Sequence, residues 1–153
     1  MNRKPNELSE YVEYILRNDV KEARLTNSDY VIKIAPSSLI KTITFLRDDN
    51  VCLFCSISDI LVVDTPSNEF RFSVYYNLIS YHIGQRIMVE VPIKSSDTLK
   101  SISHLIPGAK IMEREAHEMF GIKFAKNENL KPLYLCDNVR SPMLKEIKEE
   151  NNE

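Results

Sequence analysis

From Phe70 to Ile93 the side chains alternate with a period of two, and no other stretch restricts the fold so sharply. Phe70, Phe72, Val74, Tyr76 and Leu78 fall on one side of an extended chain, and Arg71, Ser73, Tyr75 and Asn77 on the other. Successive Cβ atoms of a strand point to opposite faces, so this run is a strand with one buried face. Ile87, Val89, Val91 and Ile93 repeat the pattern against Arg86, Met88, Glu90 and Pro92, across a connection centred on His82-Ile83-Gly84-Gln85. The two runs read as an antiparallel hairpin. Ser58 to Val63 precedes them, and Asp64-Thr65-Pro66-Ser67-Asn68-Glu69 closes that strand with a proline and small polar residues. A three-strand meander with one apolar face must be covered by other elements.

Helical spacing supplies the cover. Leu8, Tyr11, Val12, Ile15 and Leu16 recur on one face of a helix spanning roughly residues 6–18, with Glu7 and Glu10 in its first turn. Residues 20–34 break at Thr26-Asn27-Ser28-Asp29 and read as a hairpin with a weak first strand. Pro36-Ser37-Ser38 opens a second helix carrying Leu39, Ile40, Ile43 and Leu46, which Asp48-Asp49-Asn50 closes. A third helix is expected over Thr98 to Ile106, with Leu99, Ile102, Leu105 and Ile106 on one face, a cap at Ser96 or Asp97 and a stop at Pro107-Gly108. In a fourth, Met112, Ala116, Met119 and Phe120 form the apolar stripe, Glu113, Arg114 and His117 fall away from it, and Gly121 ends the helix in the left-handed region. Strands gathered centrally with helices toward both ends predict an α+β sandwich, one mixed sheet with helices packed mainly on one face.

The 153 residues suit one domain with a real core, taken as residues 1–140, followed by a short charged tail, 141–153, whose last part from Lys145 is too poor in apolar groups to order itself and is expected to be solvated or partner-bound. A formal net charge of -2 without a basic stripe argues against general nucleic-acid binding. The longest aliphatic run, Ile60 to Val63, is far too short to span a bilayer, so membrane association is expected only through a partner. The first ten residues lack an apolar segment of the kind a secretory leader needs, and no cleaved leader is expected. Cys52, Cys55 and Cys136 are an odd, low number that fits a reducing compartment. Cys52 and Cys55 have the spacing of a redox or metal pair, but they lie in Val51-Cys-Leu-Phe-Cys-Ser-Ile, which reads as strand entry with small buried thiols.

Catalytic patterns are missing. Glycines stand only at 84, 108 and 121, too few for a phosphate-cradling loop, and His82, His104 and His117 sit in no zinc-protease frame. Glu113 and His117 could share a metal from one helix face and so build a free-standing metal hydrolase, but without a third ligand a surface ion pair is favoured. Three carboxylates within Glu113 to Glu118, with Arg114 among them, suit bidentate pairing with charges on a neighbouring chain, although a solvated helix face fits the same pattern. The residues alone describe a binding subunit.

Glu113-Arg114-Glu115, then Glu118-Met119-Phe120-Gly121-Ile122-Lys123-Phe124, resembles the signature of one hydrophilic core component of complex I, the proton-pumping NADH:quinone oxidoreductase: its C subunit, numbered nine in organellar genomes. Ser58 to Pro66, Phe70 to Ser80 and Arg86 to Val89 resemble further stretches of that family, and the likeness covers roughly residues 56–146. The resemblance implies an α-β-β-α-β-β-β fold and a structural subunit of the peripheral arm, needed for assembly and for electron transfer from NADH to ubiquinone by the complex. It further implies no catalytic residue, flavin, iron–sulfur cluster, quinone or metal in this chain. The implied partners are the large quinone-site subunit and neighbouring iron–sulfur subunits, met through an interface of Glu113, Arg114, Glu115, Glu118, Met119, Phe120, Gly121 and Phe124. The equivalent subunit of a membrane-bound energy-converting hydrogenase is the alternative. The resemblance implies a place on the matrix side of the mitochondrial inner membrane or on the cytoplasmic face of a bacterial one, and the abundance of Ile, Asn and Lys, a skew that suits an organellar genome among others, tilts the expectation toward an organelle-encoded protein.

The chain departs from the family pattern in places. Glu118 replaces an Asp, Asn127-Glu128 a His-Pro, and Lys131-Pro132 an Arg-Arg pair that would form planar bidentate forks. Arg140-Ser141-Pro142-Met143-Leu144-Lys145-Glu146 stands for a fuller closing segment, so the C-terminal arm that usually wraps the partner is expected to be short.

Overall fold

The computed structural model describes residues 5–26, 29–127, 133–135 and 141–146. Helix α1 (Pro5–Ile15) is followed by strands β1 (Val20–Thr26) and β2 (Asp29–Ile34), a 3-10 turn (Pro36–Ser38) and helix α2 (Leu39–Asp48). Strands β3 (Ser56–Asp64), β4 (Phe72–Ser80), β5 (Gln85–Ile93) and β6 (Thr98–Lys100), helix α3 (Ala109–Phe120) and strand β7 (Lys123–Ala125) complete the order. The fold is the expected α+β arrangement around a mixed sheet.

Five strands lie in the order β1-β2-β5-β4-β3, and β6 and β7 form a separate parallel pair. The meander is present, β4 pairing antiparallel with both β3 and β5, and so is the hairpin of β1 and β2. The parallel contact of β2 with β5, Ile32 opposite Val89, joins hairpin to meander. Phe72, Val74, Tyr76 and Leu78 of β4 and Ile87, Val89 and Val91 of β5 meet Leu8 and Val12 of α1, Leu39, Ile43 and Leu46 of α2, and Ala109 and Ala116 of α3 in a common core. Leu61 and Val63 on β3 point away from it and are exposed.

Several expectations are corrected. Residues 98–106 form no helix: Thr98–Lys100 is strand β6, with Leu99 opposite Phe124 of β7, and turns follow. The backbone N–H of Ile102, which a helix would turn to a carbonyl four residues back, donates instead to the Glu113 carboxylate at 2.7 Å. Leu99, Ile102 and Ile106 are still buried, so their spacing reported burial correctly and secondary structure wrongly. Phe70 is exposed, because Thr65 N–H donates to the Arg71 carbonyl and closes a loop that delays β4 until Phe72. Helix α1 ends at Ile15, and Leu16 to Asp19 form a turn. Of the cysteine pair, Cys52 is buried and Cys55 exposed, since the chain turns at Asn50 to Cys52 before β3 begins at Ser56. Cys136, Glu128, Lys131, Pro132 and Arg140 lie outside the described residues.

Candidate functional site

Helix α3 carries most of the signature. Gly121 follows it at φ +75, a left-handed conformation that a side chain resists, and its N–H donates to the His117 carbonyl at 2.8 Å. The His117 Nδ1 lies 2.7 Å from the Ile122 carbonyl and donates to it, fixing the reversal. A Cβ at Gly121 would meet Ser141 Oγ at 3.0 Å, so the glycine also seats a segment arriving from 20 residues downstream (141 − 121). Gly121→Ala is expected to destabilise the chain by about 1–2 kcal/mol for the backbone alone, lowering its melting temperature by roughly 2–8 °C in a thermal scan.

Glu113 is fully buried, against the expectation that it falls away from the apolar stripe. Its carboxylate accepts hydrogen bonds from Ser101 Oγ at 2.6 Å, Ile102 N at 2.7 Å and Asn127 Nδ2 at 2.9 Å. It therefore joins three parts of the chain: α3, the turn after β6 and the residues after β7. Burial pushes its pKa above the ordinary carboxylate range, outweighing the three donors and the nearby His104. Glu113 and His117 are thus engaged separately, and among the described residues no group of three or more His, Cys, Asp or Glu could hold a metal.

Glu118 is also buried, at 8% exposure, and binds backbone alone among its described partners. Its two oxygens accept from the N–H groups of Leu133 at 3.0 Å, Tyr134 at 3.1 Å and Leu135 at 2.7 Å. Burial raises its pKa, but the N–H groups of Leu135, Leu133 and Tyr134 and the charge of Arg114 outweigh this and hold it below the ordinary value. One residue on, the Met119 carbonyl accepts from Met143 N at 3.1 Å. The helix end is thus a bracket on which two later stretches of backbone hang.

A second cluster, which the sequence did not mark as functional, holds the far end of the second stretch. Asp64, at the close of β3, accepts from Arg71 Nε at 2.8 Å and Nη2 at 3.1 Å, and from Lys145 N at 2.8 Å. Arg71 Nη2 also donates to the Lys145 carbonyl at 2.6 Å, and Lys145 Nζ to the Asp64 carbonyl at 3.0 Å. The Arg71 guanidinium, helped by Lys145, holds the buried Asp64 carboxyl below its usual pKa against the effect of burial. An acid closing an apolar strand, with an arginine seven positions later (71 − 64) across a loop, was the available signal.

The remaining signature residues divide by exposure. Arg114, Met119 and Phe120 are half-buried, Glu115 is exposed, and Phe124 is buried in β7 opposite Leu99. Asn127, in the place of the expected histidine, is used inward, its amide reaching Glu113 and the Lys110 carbonyl. Of the four charges that looked like an exterior patch in sequence, Glu113 and Glu118 are turned inward onto backbone, and Arg114 and Glu115 stay nearer the surface.

A mixed-sheet scaffold with its carboxylates turned on its own chain is the class of molecule this geometry defines, and solved structures share its fold. A chain of the membrane-bound sulfane sulfur reductase, an archaeal respiratory membrane complex, superposes with a TM-score of 0.76 at 19% identity, covering 92% of this chain and 81% of that one. A trypsin-resistant fragment of Nqo5 superposes with a TM-score of 0.66, also at 19% identity, covering 84% of this chain and 98% of the fragment. The chain belongs to the family of the respiratory-chain NADH dehydrogenase 30 kDa subunit, whose model matches residues 32–153. The C subunit of NADH-quinone oxidoreductase from Xanthobacter autotrophicus is 36% identical over 133 residues, covering 87% of this chain and 64% of the relative. Its counterpart from Brucella ovis is 38% identical over 125 residues, covering 82% and 62%. The chain thus spans less than two thirds of the length of these curated relatives. Among the described residues no helix is long and apolar enough to cross a membrane.

Proposed function

We propose that the chain is a core structural subunit of the peripheral arm of a proton-pumping NADH:ubiquinone oxidoreductase, docked on the quinone-site subunit and neighbouring iron–sulfur subunits. The observation that carries this reading is the family match over residues 32–153, and the relatives, each named as the C subunit of NADH-quinone oxidoreductase, support it. In this reading the chain holds no flavin, iron–sulfur cluster or quinone, and it contributes to electron transfer from NADH by keeping the arm assembled. The signature acts at two levels. Glu113, Glu118 and Phe124 hold the surface from beneath and the exposed Gly121 ends its helix, while Arg114, Glu115, Met119 and Phe120 lie nearer to a partner.

The second reading is the equivalent subunit of a membrane-bound energy-converting hydrogenase, and the fold shared with a chain of another respiratory membrane complex is compatible with it. At 19% identity it speaks for shared architecture, and the relatives at 36% and 38% weigh toward the quinone enzyme. Membrane attachment comes through partners. The Ile-, Asn- and Lys-rich composition supports the matrix side of a mitochondrial inner membrane, and the bacterial relatives support the cytoplasmic side of a bacterial one.

Affinity purification of the tagged chain at native expression, with mass spectrometry, is expected to recover the quinone-site subunit and the iron–sulfur subunits together. Recovery of hydrogenase-type subunits would favour the second reading. A chain migrating alone on native gels would overturn both.

A further inference from the structure

A row of hydroxyls leads outward from the buried Glu113 carboxylate. Ser101 Oγ lies 2.6 Å from Glu113 Oε2 and 2.7 Å from Ser103 Oγ; Ser101 is buried and Ser103 half-buried. A serine hydroxyl has one proton to donate and two lone pairs to accept with, whereas an ionised carboxylate only accepts. With Glu113 ionised, the Ser101 proton is therefore committed to Oε2, and Ser101 Oγ accepts from the Ser103 hydroxyl. Ser103 N–H, 3.1 Å from the same oxygen, fills its other lone pair. The donors thus all point one way, from Ser103 to Ser101 to the buried charge. Holding Glu113 needs only Ser101, yet Ser103, which touches Ser101 through its side chain, extends the row toward solvent. Glu118 has no such row, because its described partners are backbone N–H groups.

Among the described residues, the titratable groups acting on Glu113 are His104, from the turn after β6, whose charge favours the ionised carboxyl, and Tyr76, from β4. Tyr76 Oη is fully buried and makes no hydrogen bond, so the row of donors does not continue through it into the core. Asp64 of β3 is engaged with Arg71 and Lys145. On α3 itself, His117 is engaged with the Ile122 carbonyl, and Arg114 acts on Glu118. The only described side-chain hydroxyl bonded to Glu113 is that of Ser101.

We propose that Ser103 and Ser101 form a proton path between solvent and Glu113, through which the buried carboxyl gains and loses its proton without the fold opening. In uptake, a hydronium ion or protonated buffer gives a proton to Ser103 Oγ. The Ser103 hydroxyl proton passes to Ser101 Oγ, and the Ser101 hydroxyl proton passes to Glu113 Oε2. At each serine one O–H bond forms and one breaks, nothing is oxidised or reduced, and the net change is one proton taken from solvent. The donors then point the other way, from Glu113 to Ser101 to Ser103, which is the arrangement for release. The path lies wholly within this chain and holds whichever complex the chain joins.

The test is time-resolved infrared spectroscopy of the full chain after a rapid drop in pH, following the carbonyl band of protonated Glu113, assigned as the band that Glu113→Gln lacks. Ser103→Ala removes the outer hydroxyl and leaves the described donors to Glu113 in place. The band should then grow roughly tenfold more slowly, as a barrier higher by one hydrogen bond implies, while the pH at which it is half-formed stays where it was. Ser103→Thr keeps a hydroxyl and should restore the rate. Ser101→Ala cuts the path and also takes a donor from the carboxylate, so the rate should fall and the half-formation pH should rise. If the serines only supported the fold, Ser103→Ala would alter the melting temperature and not the rate. An unchanged rate in Ser103→Ala, or a slowed rate that Ser103→Thr fails to restore, would overturn the path.

Discussion

Glu113→Ala is expected to be among the most damaging single substitutions in the chain, costing about 1–3 kcal/mol in urea denaturation for the buried backbone donor it leaves unsatisfied, with the cavity left by the lost side chain adding to it. Ile102 N loses its acceptor at a site where Glu113 has no exposure, while Ser101 Oγ keeps Ser103 Oγ at 2.7 Å and the Asn127 amide keeps the Lys110 carbonyl at 3.3 Å. The stranded backbone donor carries the desolvation penalty. The side chain also joins the turn after β6, α3 and the residues after β7, so its loss should loosen the parallel β6–β7 pair before the five-strand sheet. Amide exchange at Leu99 and Phe124 would report that order.

The same residue gives a signed pH dependence. Burial raises the Glu113 pKa in the folded chain above the reference value of 4.5. A raised carboxyl contributes stability that is fully present below the unfolded-state pKa and lost as pH climbs through the folded value. Glu113→Gln removes this titration. The stability of the unsubstituted chain relative to Glu113→Gln is therefore expected to fall as pH rises from about 4.5, and a constant difference across that range would contradict it.

Sequence showed the parts of the fold that are local and periodic. The alternation through β4 and β5 and the apolar spacing of Leu39, Ile43 and Leu46 depend on neighbours a few residues apart, and each element formed close to its expected bounds. The parallel pairing of β2 with β5 was not legible, because Ile32 and Val89 are 57 residues apart (89 − 32) and either hairpin is complete without the other. Residues 98–106 were misread because helix and strand-plus-turn bury the same Leu99, Ile102 and Ile106. At the candidate site, sequence located α3 and its glycine stop but turned its acids outward. A helical wheel counts Glu113 and Glu118 as exterior, and only partners 11 to 17 residues away, Ile102 on one side and Leu135 on the other, reverse that assignment.

The Lys145 side of the Asp64 cluster was beyond reach for the same reason, lying 81 residues from the carboxylate. Asp64→Ala is expected to cost about 3 kcal/mol, the lower part of the range for breaking a buried pair, because Arg71 keeps some access to water. Its local signature differs from that of Glu113. The Lys145 amide should exchange freely and the 141–146 stretch detach, while the Glu118 hold on 133–135 persists. Arg71→Ala should release the same stretch, and the double substitution should cost much less than the sum of the singles, since both remove one interaction. The pH slope also has the opposite sign. Arg71 holds the Asp64 pKa below 3.8 in the folded chain, so its contribution is present above that value and disappears as pH falls through the folded pKa. Acid should therefore undo the Asp64 clasp over the range in which Glu113 becomes most comfortable, and a strap that detaches as pH rises instead would refute this assignment of the two carboxylates.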